Sequence, residues 1–288
     1  MLFDMLHGVS HVIADEQGFC LGVRRTMGKR PEAAMHEILG RIRRFAKKCG
    51  LRRILPSKKD VLPPDFDQAA AAIIRRVQPY TMTSPERLFA LIQAVRYVSK
   101  AEVPGDIVEC GVWRGGSMMA AALTLLECKD RSRRLHLFDT FEGMTKPTDR
   151  DLSIDGGTAS DLLQSSRRSD PTSVWCCAGL DDVASAMGET GYATEQLHFV
   201  KGAVEQTLPN HSPSHISILR LDTDWYESTM HELKHLFPKL SKGGVLLIDD
   251  YGHWEGCRAA VDEYFADNKV PILLTRIDYT GRMAVKLH

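Results

Sequence analysis

Between residues 107 and 248 the chain alternates short apolar runs with stretches of helical spacing, and this rhythm limits the possible folds more than any other feature. The runs fall at residues 107–110, 135–138, 197–200, 216–221 and 245–248, with helices predicted from about Ser117 to Glu127 and from about Glu227. Runs this short, apolar at successive positions and separated by helices, suit strands buried on both faces, which means a parallel, doubly wound α/β sheet. Ahead of them Ser84, Pro85 and Glu86 offer a capping hydroxyl, a proline for the first helical position and a first-turn acid. Leu88, Leu91, Ile92, Val95 and Val98 continue at helical spacing. The tail at 272–275, a turn at 280–281, and 283–286 read as a closing antiparallel hairpin.

A length of 288 residues accommodates one sizeable α/β domain and an appendage. We place the catalytic domain at 68–288 and a basic helical N-terminal extension with its linker at 1–67. Residues 1–60 hold 13 Lys or Arg against 6 Asp or Glu. Met35, Ile38, Leu39, Ile42, Phe45 and Ala46 predict one amphipathic basic helix over 32–49, read as a solvated helix packed on the main domain. Pro56, Pro63 and Pro64 mark 56–67 as linker. Over the whole chain 37 basic and 37 acidic residues balance, which argues against a general nucleic-acid binder. No apolar run approaches the roughly 20 residues of a membrane span, and the first residues lack a secretory pattern. Seven cysteines show no metal-type spacing, so a cytoplasmic location with reduced thiols is expected.

Ligands of doubly wound sheets bind at the carboxyl ends of the strands. After the first run comes Glu109, Cys110, Gly111, Val112, then Gly115, Gly116 and Ser117, a turn tight enough for close approach to a nucleotide-like ligand. Its spacing differs from the pyrophosphate-cradling G-x-G-x-x-G, and a carboxylate at Glu109 would repel phosphate yet receive a cationic amino-acid head. That favours S-adenosylmethionine. Asp139, followed by Thr140, stands where a carboxylate accepts ribose hydroxyls, and Gly202 follows the third run. The stretch 81–87, with Met82 and Thr83, reads either as a lid on the cofactor or as a plain helix cap.

Asp222 and Asp224 end the fourth run, Asp249 and Asp250 the fifth. Four carboxylates gathered in one cleft repel each other unless a hard cation relieves them, and oxygen-only donors suit Mg²⁺. Some of them also cap the following helices. His253 is a second base candidate. The polar stretch 145–173 is expected to shape the acceptor cleft.

Residues 80–88, 104–117, 138–143, 221–229 and 243–252 together closely resemble the macrocin O-methyltransferase family, in the family's order, with coverage from about residue 78 onward. The resemblance implies a Rossmann-like class I methyltransferase fold and Mg²⁺-dependent methylation of a sugar or polyol hydroxyl in a small-molecule acceptor. It implies Asp222, Asp249 and Asp250 as metal ligands, Asp224 as general base, and Glu109, Gly111 and Asp139 at the cofactor. Thr223 departs from the family's usual glycine, and the basic segment has no counterpart in it. A catechol-like phenol acceptor is the nearest alternative; an NAD(P)-dependent oxidoreductase and a non-catalytic nucleoside-binding protein are more distant ones. Assembly as a homo-oligomer stays open.

Overall fold

A computed structural model describes residues 62–170 and 173–287. The basic helix over 32–49 and the first part of the linker lie outside the described residues. Five parallel strands, β1 (Asp106–Cys110), β2 (Leu135–Asp139), β3 (Leu197–Lys201), β4 (Ile216–Leu221) and β5 (Leu240–Ile248), follow the apolar runs. Two short strands, β6 (Thr275–Arg276) and β7 (Arg282–Val285), close a seven-stranded sheet in the order β3-β2-β1-β4-β5-β7-β6. β7 runs antiparallel to β5, and β6 antiparallel to β7.

Eight α-helices lie among the described residues: α1 (Gln68–Val77), α2 (Pro85–Lys100), α3 (Gly116–Glu127), α4 (Ala159–Ser165), α5 (Leu180–Gly188), α6 (Val204–Thr207), α7 (Tyr226–Leu236) and α8 (Glu255–Asp267). Successive strand residues point to opposite faces, which splits the interior in two. Ile107, Leu135, Leu137, Ile218, Val245 and Leu247 pack with Ile74 of α1, Leu91 and Val95 of α2, Met118 of α3 and Met187 of α5. Val108, Phe138, Leu219, Leu246 and Ile248 pack with Leu233 and Leu236 of α7 and Val261 and Tyr264 of α8. Each fully buried side chain of this size contributes about 1.5–3 kcal/mol, so both faces must be covered. This is the doubly wound arrangement the sequence predicts.

Ser84 caps α2 as expected, its hydroxyl accepting from Arg87 N at 3.2 Å, and Asp67 caps α1 by accepting from Ala70 N at 3.0 Å. Two boundaries differ from expectation. Leu62 and Phe66, inside the predicted linker, pack on the first core, with the Phe66 ring stacked 4.0 Å from Phe89. The closing hairpin is shifted: Asp278 Oδ1 accepts from Thr280 N and Gly281 N, which tightens the turn and pairs Arg276 with Arg282. Ile272 and Leu274, predicted as strand, pack against the second core instead. Among the described residues no helix is long and apolar enough to cross a membrane.

Candidate active site

Parallel strands leave their carboxyl ends on one edge, and there β1, β2, β4 and β5 surround a cavity of about 390 Å³. The turn after β1 is built by close approach. Gly111 adopts φ +82°, and a Cβ there would collide with the Asp222 carbonyl oxygen, so only glycine lets β1 and β4 end side by side. A Cβ on Gly116 would come within 2.6 Å of Thr81, which seats residues 80–83 over the start of α3. Thr81, Met82, Thr83 and Arg87 accordingly line the cavity.

Asp139 knits the turn to β2. Its Oδ2 accepts from Val112 N at 2.7 Å and Trp113 N at 3.0 Å, and its Oδ1 from Phe141 N at 2.7 Å. Burial pushes its carboxyl upward while these bonds oppose the shift. Thr140 lines the cavity with it, as do Val112, Ser117 and Gly202, whose N donates to the Asp139 carbonyl at 2.9 Å.

The acids gather on the other side. Asp222 N donates to Cys110 O at 2.8 Å and Asp249 N to Leu221 O at 2.9 Å, so pairing of neighbouring strands fixes both backbones. Asp222, Asp249 and Asp250 each present a carboxylate oxygen within 4.8 Å of the others. Asp250 Oδ2 is buried without a partner among the described residues. Asp224 lies beside them at φ +65°. Its carboxyl is pushed up to about 7, by burial first and the Asp222 charge second. Asp250 is driven well above the carboxylate range by burial and by Asp224. His253 also lines the cavity; its Nδ1 is buried without a partner among the described residues, and burial lowers its pKa, which favours the neutral ring.

Two arginines hold this cluster, and the sequence reading singled out neither. Arg220 is 4% exposed and donates to Glu109 Oε1 at 2.5 Å, Asp222 Oδ2 at 2.6 Å, Asp249 Oδ1 and Thr83 Oγ1 at 3.0 Å. Arg87 bonds Asp249 Oδ2 and, at 3.0 Å, Asp278 Oδ2. The acids are therefore only partly uncompensated. The signal was available: Glu109 and Arg220 are opposite charges inside two apolar runs, and they are register partners across β1 and β4.

Three of the expected cofactor residues do not border the cavity. Glu109 is 1% exposed and turned to Arg220, with its carboxyl raised to about 8 by burial against the opposing Arg220 charge. Cys110 alternates to the other side of the sheet and is buried in the second core. Gly115 takes φ +87° to cap α3, and a Cβ there would come within 3.2 Å of Val183.

The donor set fits a hard divalent cation: oxygen atoms only, more carboxylates than guanidiniums, and an orphaned Asp250 oxygen among them.

Comparison with known proteins agrees with this geometry. Residues 57–285 match the family described as Macrocin-O-methyltransferase (TylF). A relative from Streptomyces olivaceus, 8-demethyl-8-(2,3-dimethoxy-alpha-L-rhamnosyl)-tetracenomycin-C 4'-O-methyltransferase, is 34% identical over 202 residues, covering 70% of this chain and 74% of the relative. Mycinamicin III 3''-O-methyltransferase from Micromonospora griseorubida is 34% identical over 203 residues, covering 70% and 76%. The structure of the O-methyltransferase NovP superposes with a TM-score of 0.63 at 32% identity, covering 73% of this chain and 83% of that one. The family match and the likeness to NovP, on a sheet with a glycine turn after β1 and an aspartate at the end of β2, place this enzyme among the class I S-adenosylmethionine-dependent O-methyltransferases. Within that class the chain belongs to the macrocin O-methyltransferase family.

Proposed function

We propose that the enzyme methylates a sugar hydroxyl of a glycosylated natural product, with Mg²⁺ held by Asp222, Asp249 and Asp250 and with Asp224 as the base. The observation that carries this reading is the convergence of those three carboxylates to within 4.8 Å, with Asp224 alongside. A sugar hydroxyl is too weak an acid to react unaided near neutral pH. Asp222, Asp249 and Asp250 would hold a hard cation, which would supply Lewis-acid stabilisation of negative charge on the hydroxyl oxygen. Asp224 accepts the hydroxyl proton as oxygen bonds the methyl carbon and the carbon–sulfur bond breaks, leaving a methyl ether and S-adenosylhomocysteine. Such base assistance is worth about 10²–10⁴-fold. Asp139 fixes the turn against which the nucleoside lies, and Arg220 and Arg87 hold Asp222 and Asp249 in orientation.

Relatives named for methylating rhamnosyl-tetracenomycin and mycinamicin support a glycoside acceptor. So does the lining: Asp139, Glu205, Asp222, Asp224, Asp249 and Asp250 face the cavity, and Arg87, held by two aspartates, is the sole lysine or arginine among the described lining residues. Such walls suit a neutral sugar better than a sugar diphosphate.

The test is methyl transfer from labelled S-adenosylmethionine to a panel of neutral glycosides, sugar diphosphates and catechols, with Mg²⁺ or with chelator. Turnover confined to glycosides, abolished by chelator and by Asp249→Ala while S-adenosylhomocysteine still binds, supports the reading. Transfer undiminished in chelator removes the metal role, full rate in Asp224→Asn removes the base, and turnover of catechols alone replaces the acceptor class.

A further inference from the structure

Thr223 lies between Asp222 and Asp224, and the structure gives its hydroxyl a partner that the reaction does not otherwise require. Thr223 Oγ1 donates a 2.9 Å hydrogen bond to Glu232 Oε1. Glu232 projects from α7, is 0% exposed, and its Oε2 has no partner among the described residues. Burial drives this carboxyl well above the usual range. A buried polar group left unsatisfied costs about 1–3 kcal/mol, a cost that a leucine at this core position would not carry. Besides the Cys110 thiol, the acid's partner is the Thr223 hydroxyl.

What it holds is the loop between two functional aspartates. The Thr223 carbonyl also accepts from Trp225 N at 2.7 Å and from Ser228 Oγ at 3.4 Å. The next residue, Asp224, has φ +65°, a left-handed conformation that costs a non-glycine residue about 1–3 kcal/mol and persists only where its surroundings enforce it. On the opposite side Gly111 lies directly against the Asp222 carbonyl. The loop is thus wedged between the cofactor turn and α7. Glycine at 223 would leave it the widest choice of backbone conformations, whereas a β-branched residue bonded into the core removes that freedom.

We propose that Thr223 and Glu232 form a positioning pair: the hydroxyl, anchored on the buried carboxyl, fixes the 222–224 loop so that Asp222 meets the oxygens of Asp249 and Asp250 and Asp224 keeps its left-handed turn. The inference rests on the cation reading given above for Asp222.

Its test uses the full chain with Mn²⁺ as the probe, titrated calorimetrically, beside a separate titration with S-adenosylhomocysteine. Thr223→Val keeps the shape and removes the donor. It should weaken Mn²⁺ binding about tenfold or more, the usual effect of losing a residue that supports a metal ligand, while S-adenosylhomocysteine affinity is retained. Thr223→Ser should restore Mn²⁺ affinity. Thr223→Val combined with Glu232→Leu should bind no more weakly than the weaker of the two single variants, because the pair acts as one unit. Wild-type Mn²⁺ affinity in Thr223→Val, or a Thr223→Ser variant as weak as Thr223→Val, overturns the proposal; Thr223→Ala takes the place of valine if the latter does not fold. Mn²⁺ binding that is equal in wild type and Asp249→Ala removes the cation reading instead. In that event a crystal structure of Thr223→Val with S-adenosylhomocysteine decides the pair: Asp224 leaving its positive φ supports it, and Asp224 retaining it refutes it.

Discussion

Replacing Arg220 with methionine tests how an acidic pocket is held inside a folded domain. Methionine keeps much of the stem but removes a guanidinium that is 4% exposed and bonded to Glu109, Asp222 and Asp249. Breaking a buried ion pair by removing one partner costs about 3–5 kcal/mol. At about 2–4 °C per kcal/mol for a domain of this size, the melting midpoint should fall by roughly 6–20 °C. The pH dependence is the sharper readout. Burial raises the folded-state carboxyl of Glu109 to about 8 from an ordinary 4.5, against the pull of Arg220. The native state therefore binds more protons than the unfolded one across that window, and stability declines as pH rises through it. Without Arg220 the carboxyl rises further, so the decline continues above the wild-type value of about 8. The gap between variant and wild type should widen from neutral to alkaline pH. Circular-dichroism melts in chelator at acidic, neutral and alkaline pH measure it, and adding Glu109→Gln to the variant should recover part of the alkaline loss. A gap that narrows as pH rises, or a variant melting within about 2 °C of wild type throughout, would refute the reasoning.

Three further outcomes are expected. Asp139→Ala removes the acceptor of three backbone N–H groups and should weaken S-adenosylhomocysteine about 10–100-fold by calorimetry, since bonds to a charged group are worth about 1.5–3 kcal/mol. Gly111→Ala, with its Cβ driven into the Asp222 carbonyl at a positive φ, should lose about 2–6 kcal/mol in urea denaturation. Asp67→Ala should cost about 1 kcal/mol as a lost cap of α1. The Asp67 carboxyl is lowered to about 2 by Arg96 and then by the Ala70 N–H, so its contribution is present above the ordinary 3.8 and lost as pH falls toward about 2. Melts of Asp67→Ala and wild type should converge on acidification, and only modestly differ in their salt dependence, because the Arg96 pair is half-exposed.

The strands were legible because burial on both faces leaves near-continuous apolar runs, and the start of α2 because Ser84 and Pro85 have no better local use. Placing Asp222 near Asp249 and Asp250 needed only the inference that consecutive strands are neighbours, which β4 and β5 are. Glu109 shows where such reasoning stops. Its type and spacing suggested a contact with the donor, but the partner that turns it away arrives from β4, 111 residues later in the chain, and adjacency of β1 and β4 follows from sheet order rather than chain order. Cys110 was misplaced for a simpler reason: the strand's alternation sends it to the far face. Within the polar stretch 145–173, α4 and a bridge from Ser153 to Trp254 were hidden, because their residues carry little apolar periodicity.

The bond from Arg87 to Asp278 spans 191 positions, and Thr280 Oγ1 donates at 2.8 Å to the Asp249 carbonyl across 31 more. Closures of this length are slow and come after local helices have formed. The catalytic cleft is therefore made by parts of the chain far apart in sequence, and it exists only once they have come together. Any molecule that recognises the finished cleft binds the folded chain alone, drawing the population toward the completed enzyme by mass action.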